Sequence, residues 1–469
     1  MFKNDIGVIG MAVMGRNLTL NIASHGYTVS IFNRTPQKTE YIIKNFDNKT
    51  ILPFFSISGF VNSLKKPRCI LLMVQSGKAT DNIILKLLSY LSSGDIIIDG
   101  GNSFYKDTIR RYYNLLKYNV NFIGAGISGG EYGALYGPSI MPGGNKSAYN
   151  FIKPILKSIA AKIGNESCIS YIGPDGSGHY VKMVHNGIEY ADMQLIAESY
   201  SMLRHILNLS NQDISDIFSQ WNQGELNSYL IKITKNILKK KDSNGNDLID
   251  CILDQADTKG TGEWACKEAL ELHEPLTLIT MSVFSRYISV LKLQRILASN
   301  ILLGPRNHCI IHNQSEFIEK IRQSLYLGKI ISYSQGFSQL SHASQKYHWN
   351  LKYSNIAKIF RSGCIIQARF LNKIVEAYKY DNTTMNLLLS PYFQELANKY
   401  QNTLRQVVSD SIQYGVAIPV FSSAISYYDS YRTSFSSANL IQAQRDYFGA
   451  HTYKRYDQDG VFHTNWSSY

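Results

Sequence analysis

Five short apolar runs in the first third of the chain constrain its fold more than any other feature. They lie at residues 6–9, 28–32, 69–74, 95–99 and 121–125, and segments of helical length separate them. Runs that are apolar on both faces are typical of parallel strands with helices on both sides of the sheet. The pattern therefore predicts an α/β domain that ends with a further apolar segment at residues 167–172.

The rest of the chain has a different pattern. Apolar residues recur at helical spacing from about residue 181 to about residue 432, without strand-like alternation. Residues 433–469 are polar and irregular but carry several aromatic side chains, which is typical of a tail that docks on another surface. We therefore predict three units: an α/β domain (1–177), a large all-α domain (178–432) and an extended C-terminal tail (433–469).

A glycine-bearing turn follows the first apolar run directly. It consists of Gly10, Met11, Ala12, Val13, Met14 and Gly15. Gly10 permits a tight turn, a small residue at position 12 lets the backbone approach a pyrophosphate, and Gly15 lets a helix pack on the strand. The N-terminus of that helix then faces the pyrophosphate. A tight turn without a ligand is the alternative, but the position favours a Rossmann-type dinucleotide site.

The second apolar run ends in Asn33, Arg34 and Thr35. An NAD-dependent enzyme commonly has an acidic residue there for the ribose 2′-hydroxyl, and none is present. A guanidinium group suits a 2′-phosphate instead, because it can donate two parallel hydrogen bonds. This position therefore predicts NADP as the cofactor.

Three further turns follow the later runs. Val74, Gln75 and Ser76 end the third, Asn102 follows the fourth, and a glycine-rich turn follows the fifth at residues 124–130. Parallel strands end at one edge of a sheet, where ligands of open α/β sheets bind. Each turn alone can be merely structural, but three at one edge favour a site, and the last can form an anion-binding nest.

A polar stripe runs along the predicted helix at residues 178–190. It consists of Lys182, His185, Asn186, Glu189 and Tyr190, which share one helix face. Lys182 and Glu189 lie about 10 Å apart along the axis, so both can flank one small substrate. A solvated helix face is the alternative. Gly187, which weakens a surface helix without a packing gain, and the hinge-like residues 173–178 favour a site.

Composition excludes some classes of protein. The formal charge of +13 allows nucleic-acid binding, but the basic residues are scattered, so anionic small molecules are the expected partners. The six cysteines have no metal-ligand spacing, so we predict no metal site and reduced, mostly buried thiols in a cytosolic protein. No apolar run reaches the roughly 18 residues of a membrane helix, and the first run begins too early for a signal peptide.

With these residues in view, the chain closely resembles the decarboxylating 6-phosphogluconate dehydrogenases along essentially its whole length. The shared motifs are GMAVMG, NRT, IIDGGNS, GISGGE, GPSIMPGG, YVKMVHNGIEY, KGTGEW and NLIQAQRDYFGAHTYKR. The resemblance implies oxidation of 6-phosphogluconate by NADP with loss of carbon dioxide, giving ribulose 5-phosphate. It also implies a cytosolic homodimer of the pentose phosphate pathway, in which the helical domain binds substrate and forms the dimer.

The resemblance also implies roles for individual residues. The implied cofactor contacts are residues 10–15, Asn33, Arg34, Thr35, Val74, Gln75, Ser76 and Asn102. The implied substrate contacts are Asn102, Ser128, Gly129, Gly130, His185, Asn186, Tyr190, Lys259, Arg286, Arg445 and His451. Lys182 and Glu189 are the implied catalytic pair. Two positions depart from the family pattern: Tyr132 replaces an acid and Glu263 replaces a basic residue.

The side chains suggest how the reaction proceeds. Lys182 can take the hydroxyl proton only when neutral, so burial or a nearby cation must lower its pKa. Once charged, it can donate a proton toward the ketone oxygen, in place of a Lewis-acid metal. Glu189 can protonate the resulting enediol. Lys259, Arg286 and Arg445 supply cations for the substrate phosphate, although each alone can be a surface salt bridge.

Two other functions are compatible with parts of the sequence. A related β-hydroxyacid dehydrogenase acting on a smaller substrate, such as 3-hydroxyisobutyrate, would not need Lys259, Arg286 and Arg445. A non-catalytic NADP-sensing or nucleic-acid-binding protein has support only from the net charge. Finally, residues 433–469 lack a core pattern but contain two implied substrate contacts. We therefore expect the tail to complete the active site of a partner subunit.

Overall fold

The computed structural model describes residues 3–46, 48–258, 260–305 and 311–466 of the chain. No helix within these ranges is both long and apolar enough to cross a membrane. The predicted architecture is confirmed: a Rossmann-type α/β domain is followed by a large all-α domain and a C-terminal tail.

A seven-stranded sheet forms the first domain. Its strands are β1 (Ile6–Ile9), β2 (Val29–Phe32), β3 (Ile51–Phe54), β4 (Cys69–Leu72), β5 (Ile96–Asp99), β6 (Asn121–Ser128) and β7 (Ser139–Gly144), and a short hairpin follows with β8 (Lys162–Ile163) and β9 (Glu166–Ser167). The order in the sheet is β3-β2-β1-β4-β5-β6-β7. The five predicted runs are β1, β2, β4, β5 and β6.

Two strands depart from the sequence prediction. β3 carries Pro53 and lies at the sheet edge, where a missing backbone donor is tolerated. β7 contains a proline and two glycines, so its sequence lacks the continuous apolar run by which the other strands were predicted. It pairs antiparallel with β6, so the sheet is mixed and not wholly parallel. Residues 167–172 contribute only the last residue of β9 and one isolated bridge from Ile169.

Seven helices cover the two faces of this sheet. They are α1 (Val13–Ser24), α2 (Pro36–Asn45), α3 (Ile57–Asn62), α4 (Lys78–Leu88), α5 (Tyr105–Leu116), α6 (Gly130–Tyr136) and α7 (Lys146–Ile159). Leu18 and Ile22 of α1 pack with Ile152 and Leu156 of α7 on one face. Helices α3, α4 and α5 pack on the other face. Burial on both faces explains why β1, β4 and β5 are continuously apolar or glycine until their ends.

The second domain is built from helices. They are α8 (Ser177–His205), α9 (Asn211–Trp221), α10 (Tyr229–Leu238), α11 (Leu248–Cys251), α12 (Thr261–Leu272), α13 (Thr277–Val290), α14 (Lys292–Ile301), α15 (Gln314–Lys346), α16 (Tyr353–Phe360), α17 (Leu371–Tyr380), the 3₁₀ turn Leu387–Leu389, α18 (Pro391–Gln413) and α19 (Pro419–Arg432). The two longest, α8 and α15, cross at the centre of this domain. Gly336 of α15 lies against Ile188 of α8, where a Cβ would collide with that side chain.

Helix α8 is a buried central helix and not a surface helix. It packs against β6, β7, α12, α13 and α15. A Cβ at Gly187 would lie 3.1 Å from Ile279 Cγ2 and 3.3 Å from Ala265 Cβ, so this glycine permits close packing, contrary to the expectation of no packing gain. The preceding segment is also close-packed, because a Cβ at Gly178 would collide with the backbone of β6 and β7. The expected hinge at residues 173–178 is therefore a tight junction.

The tail is more regular than its sequence suggests. Residues Ala438–Gly449 form a helix, α20, which the sequence analysis missed because its apolar residues do not face a core. Asp446 is its one buried residue. Leu440, Ile441, Tyr447 and Phe448 are all exposed. The tail therefore has local structure without being packed into the body of its own chain.

Candidate active site

Alternate residues of β6 face the start of α8. A Cβ at Gly124 would lie 2.9 Å from His179 Nδ1, and a Cβ at Gly126 would collide with the Cβ of Lys182. Two positions further, the Ser128 hydroxyl lies 3.2 Å from His185 Nε2. Strand residues two apart share a face, so the glycines let the helix approach closely. The pattern Gly-x-Gly-x-Ser was a usable sequence signal for this contact.

Lys182 lies at the centre of this contact with only 7% of its surface exposed. Burial lowers the pKa of its amine from the ordinary lysine value, and the negative charge of Glu189 opposes this only in part. The condition for Lys182 to act as a base, a lowered pKa, is therefore met by its surroundings.

His185 connects the other polar residues of the helix. Its Nδ1 lies 3.1 Å from Asn186 Oδ1 and 3.8 Å from the Glu189 carboxylate. Burial and the charge of Lys182 hold the pKa of His185 well below its usual range, so the ring is neutral. Because an amide oxygen only accepts, Nδ1 carries the hydrogen and Nε2 accepts from Ser128. The side chain of Glu189 is 21% exposed, whereas that of His185 is fully buried, so Glu189 lies on the solvent side of this pair.

The predicted cofactor turn forms one wall of a cleft at the sheet edge. A cavity of about 360 Å³ is lined by Ala12, Val13, Met14, Gly15, Met73, Val74, Gln75, Gly100, Gly101, Asn102 and Ile127. Gly10 has φ +102°, and a Cβ there or at Gly15 would collide with neighbouring carbonyl oxygens. No side chain caps the N-terminus of α1, which leaves its backbone N–H groups for an anion. The cleft thus fits a dinucleotide.

Asn33, Arg34 and Thr35 lie next to this cleft. Met11 N–H donates to Asn33 Oδ1 over 2.9 Å, and the Asn33 amide donates to the Thr35 carbonyl over 3.0 Å. Arg34 is exposed and has no ion pair within the described parts of the chain. Its charge is therefore available to a ligand. Ser76, by contrast, does not line the cavity.

Arg111, a residue that the sequence analysis missed, ties two cofactor loops together. Its Nε donates to Asp81 over 2.8 Å, and its Nη2 donates to the Gly77 carbonyl over 3.1 Å. Its Nη1 lies 3.4 Å from Asp99 and 3.3 Å from Ser103 Oγ. Arg111 is 3% exposed and Asp99 is fully buried. The adjacent Arg110 and Arg111 gave no sequence signal, since only the fold shows which of them is buried.

A second cation lies near the far end of the stripe. The Arg286 guanidinium stacks 3.5 Å from the centroid of the Tyr190 ring and donates to the Asp257 carbonyl over 3.1 Å. A Cβ at Gly262 would lie 2.7 Å from that ring, which explains the glycine of the KGTG motif. Glu263 pairs with Lys267 at 2.6 Å and accepts from the Tyr287 hydroxyl over 3.4 Å. Lys259 lies outside the described residues.

The glycine-rich turn after β6 has the backbone that its sequence predicts. Gly129 has φ +128° and Gly130 has φ +61°, values that favour glycine. Glu131 pairs with Arg16 of α1 at 3.4 Å. Tyr132 is 72% exposed, and its ring lies against Tyr136 with centroids 4.6 Å apart. The departure at position 132 therefore affects an outward-facing aromatic pair.

Two of the predicted substrate residues lie in the tail. The hydrogen bonds and ring contacts described for Arg445 and His451 are to tail residues, Gln442 and Phe448 among them. The tail is organised by Asp446, a further residue that the sequence analysis missed. It accepts hydrogen bonds from His463 and Trp466 and from the backbone of Thr452 and Thr464. The structure of a single chain therefore does not join the tail residues to Lys182.

Comparisons with known proteins agree along the whole chain. Residues 5–173 match the family model described as the NAD binding domain of 6-phosphogluconate dehydrogenase, and residues 178–466 match its C-terminal domain. Relatives called "6-phosphogluconate dehydrogenase, decarboxylating" include those of Buchnera aphidicola subsp. Baizongia pistaciae and Escherichia coli K12. The first is 66% identical over 468 residues and covers 100% of each chain. The second is 60% identical over 467 residues and covers 99% of this chain and 100% of the relative.

A solved structure is also similar over nearly the full length. It is the Plasmodium falciparum 6-phosphogluconate dehydrogenase, described in its apo form, with its cofactor NADP⁺ and with its substrate 6-phosphogluconate. The sequence identity is 44%, the TM-score is 0.95, and the match covers 98% of this chain and 100% of the other.

Proposed function

Because this chain belongs to the family of decarboxylating 6-phosphogluconate dehydrogenases, we propose that it oxidises 6-phosphogluconate with NADP and forms ribulose 5-phosphate and carbon dioxide. The observation that carries this proposal is Lys182, a buried amine with a lowered pKa on the same helix face as Glu189. NADP, when bound, supplies the hydride acceptor. The roles of the individual side chains follow from their geometry.

The cofactor is held by backbone and by one guanidinium group. The free N–H groups at the start of α1 would hold the pyrophosphate, and Gly10 and Gly15 leave room for it. Arg34, held between Asn33 and Thr35, would bind the 2′-phosphate of this cofactor. Val74, Gln75 and Asn102 line the cleft, and Ser76 follows Gln75 in the sequence.

Lys182 and Glu189 divide the proton transfers between them. Neutral Lys182 takes the proton of the substrate 3-hydroxyl as hydride leaves carbon 3, and the product is a β-keto acid. Charged Lys182 then donates to the ketone oxygen while the carboxylate leaves as carbon dioxide. Glu189 protonates carbon 1 of the enediol. Ser128, His185 and Asn186 orient the substrate through the hydrogen-bonded row that they form.

The substrate phosphate binds at the other end of the stripe. Arg286 stacks on Tyr190 and has no carboxylate partner in the described part of the chain, so its charge is free to meet a phosphate. Gly129 and Gly130, which directly follow Ser128, would bind the rest of the substrate through their backbone N–H groups. The resemblance to the family implies that Lys259 is a further cation of the phosphate site. A smaller β-hydroxy acid would leave this cation without a partner.

We further propose that the protein is a cytosolic homodimer with shared active sites, in which Arg445 and His451 reach the partner's Lys182. Helix α20 leaves an apolar face exposed, and α14 has no buried residue at all. Leu293, Leu297 and Ile301 of α14 are more than 60% exposed. Exposed apolar surface of this extent marks an interface. The described cysteines are all free thiols, the state that a reducing compartment maintains.

One assay tests the main proposal. Purified protein with NADP and 6-phosphogluconate should release NADPH and carbon dioxide in equal amounts, also in the presence of EDTA. Inorganic phosphate should inhibit competitively with substrate. Oxidation of 3-hydroxyisobutyrate at a comparable kcat/KM, without inhibition by phosphate, would instead favour the relative with a smaller substrate. No turnover of either compound would contradict both.

A further inference from the structure

A basic groove lies between α7 and α16, and it shares no lining residue with the cofactor cleft. Its volume is about 500 Å³. Five cationic side chains line it: Lys146, Lys153, Lys157, Lys358 and Arg361. None of them has a part in the proposed reaction. The groove is therefore a positively charged cavity that the enzyme's chemistry does not explain.

The three lysines of α7 lie in a row along one face of the helix. They are seven and four residues apart, which places them on one helix face within about 40° of each other and separates them by about 10 Å and 6 Å along the axis. All three are exposed. None has an ion pair or a side-chain hydrogen bond within the described ranges.

The opposite wall supplies one acid. Glu166, in the β8–β9 hairpin, accepts from Lys358 over 3.0 Å and from Arg361. Hydrogen bonds from Arg361 and Lys358 lower the pKa of Glu166, which keeps it ionised and engaged with those two cations. Glu166 is the one carboxylate among the described residues that line the groove, and it is already paired with those two cations. A concave, low-dielectric wall focuses the resulting positive potential into the groove.

We propose that this groove is a second anion site, which binds an oligophosphate chain, either free or carried by a nucleotide. A single phosphate can meet only neighbouring lysines, whereas a row with steps of about 6 and 10 Å fits several anionic groups along one chain. Tyr171, half-buried in the wall and 5.4 Å from the Tyr149 ring between centroids, gives a nucleotide base a surface to lie on. Inorganic oligophosphate uses the lysines alone.

Calorimetric titration of the full-length protein tests the proposal. Sodium tripolyphosphate and ATP are titrated separately at low ionic strength into the wild type and into Lys153→Gln/Lys157→Gln. We expect the double variant to bind tripolyphosphate at least tenfold more weakly. The matched control is Lys86→Gln/Lys379→Gln, which removes two exposed lysines elsewhere and should change the dissociation constant less than twofold. Tighter binding of ATP than of tripolyphosphate, lost in Lys153→Gln/Lys157→Gln but kept in Arg34→Ala, would identify the nucleotide as the source.

Three results would overturn the proposal. Absence of binding to the wild type would show that the groove holds no oligophosphate. Equal weakening by the control pair would show a general effect of net charge. Loss of tripolyphosphate binding in Arg34→Ala, with the groove variant unchanged, would place the anion in the cofactor cleft instead.

Discussion

Lys182 illustrates how one buried side chain can link protonation to both stability and catalysis. Its pKa in the folded chain is lowered by burial, so between that pKa and the ordinary lysine value of 10.5 the unfolded chain binds the extra proton. The stability contribution of this group therefore rises with pH in that window and is lost as pH falls. The neutral form is also the form that can accept the substrate proton.

The first prediction concerns this amine. We expect kcat/KM to rise with pH along a limb whose apparent pKa lies below that of an ordinary lysine, because only neutral Lys182 is a base. Lys182→Gln should lose about 10²- to 10⁴-fold or more in kcat. Steady-state rates between pH 6 and 9 measure the limb. A flat profile with a fully active variant would contradict the role.

Glu189→Gln provides the contrast within the same pair. It should impair protonation of carbon 1, measured as lost tritium exchange into ribulose 5-phosphate, more than it impairs oxidation. Unchanged exchange in this variant would show that another group is the acid.

The second prediction concerns cofactor choice. Arg34→Ala should raise KM for NADP by about tenfold or more but change KM for NAD little, because a charge-assisted hydrogen bond contributes about 1.5–3 kcal/mol. Lys44→Ala, which removes an exposed cation in the last turn of α2, away from Thr35, is the matched control and should leave both values nearly unchanged. Steady-state kinetics with both cofactors decide the matter. An equal rise in KM for NADP and for NAD would mean that Arg34 does not bind the 2′-phosphate.

At the scale of elements, the contact between β6 and α8 sets the position of the catalytic amine. We predict that Gly126→Ala lowers kcat by more than tenfold, because the new Cβ occupies the space of the Lys182 Cβ. Overpacking of this kind should also cost about 1–3 kcal/mol of unfolding free energy. Gly133→Ala is the control, since its nearest neighbours lie 3.7 Å away. Denaturation and rate measurements on both variants separate the effects, and wild-type kcat in Gly126→Ala would refute the prediction.

The loops at the carboxyl edge depend on a second element contact, which Arg111 of α5 makes. We expect Arg111→Met to weaken NADPH binding about tenfold while 6-phosphogluconate binding changes less, because the loops at Gly77 and Asp99–Ser103 lose their shared donor. Arg110→Met, which removes the exposed ion pairs to Asp81 and Asp107, should bind NADPH as the wild type does. Fluorescence titration measures both, and equal losses for the two ligands would indicate general destabilisation.

Most of the sheet, the cofactor turn and the helix with the catalytic pair could be predicted from the sequence, because each is encoded by residues that are close together in the chain. Gly10 to Gly15 and the stripe from Lys182 to Tyr190 are contiguous. β3 and β7 were missed because proline and glycine break the apolar pattern. Arg111 and Asp446 were missed because their importance lies in burial and in partners distant along the chain. Helix α20 was missed because its apolar residues face outward.

At the scale of the whole molecule, the shared-site proposal makes a quantitative prediction. Lys182→Gln and Arg445→Ala proteins, each nearly inactive, are unfolded, mixed equally and refolded. Random pairing makes half of the dimers mixed, and each mixed dimer holds one intact site, so activity should recover to roughly a quarter of wild type. If the tail serves its own chain, no mixed dimer contains an intact site, and activity will not exceed the parents' residual values.

The carboxylate of Asp446 has a consequence for how such a dimer responds to dilution. It orders the tail through donors from the tail itself, so the chain loses that conformational freedom before it meets a second copy. Association then requires no further folding of the tail, which favours a low dissociation constant. Specific activity should consequently stay constant down to low protein concentrations, and a tail loosened at Asp446 should show a concentration threshold for turnover.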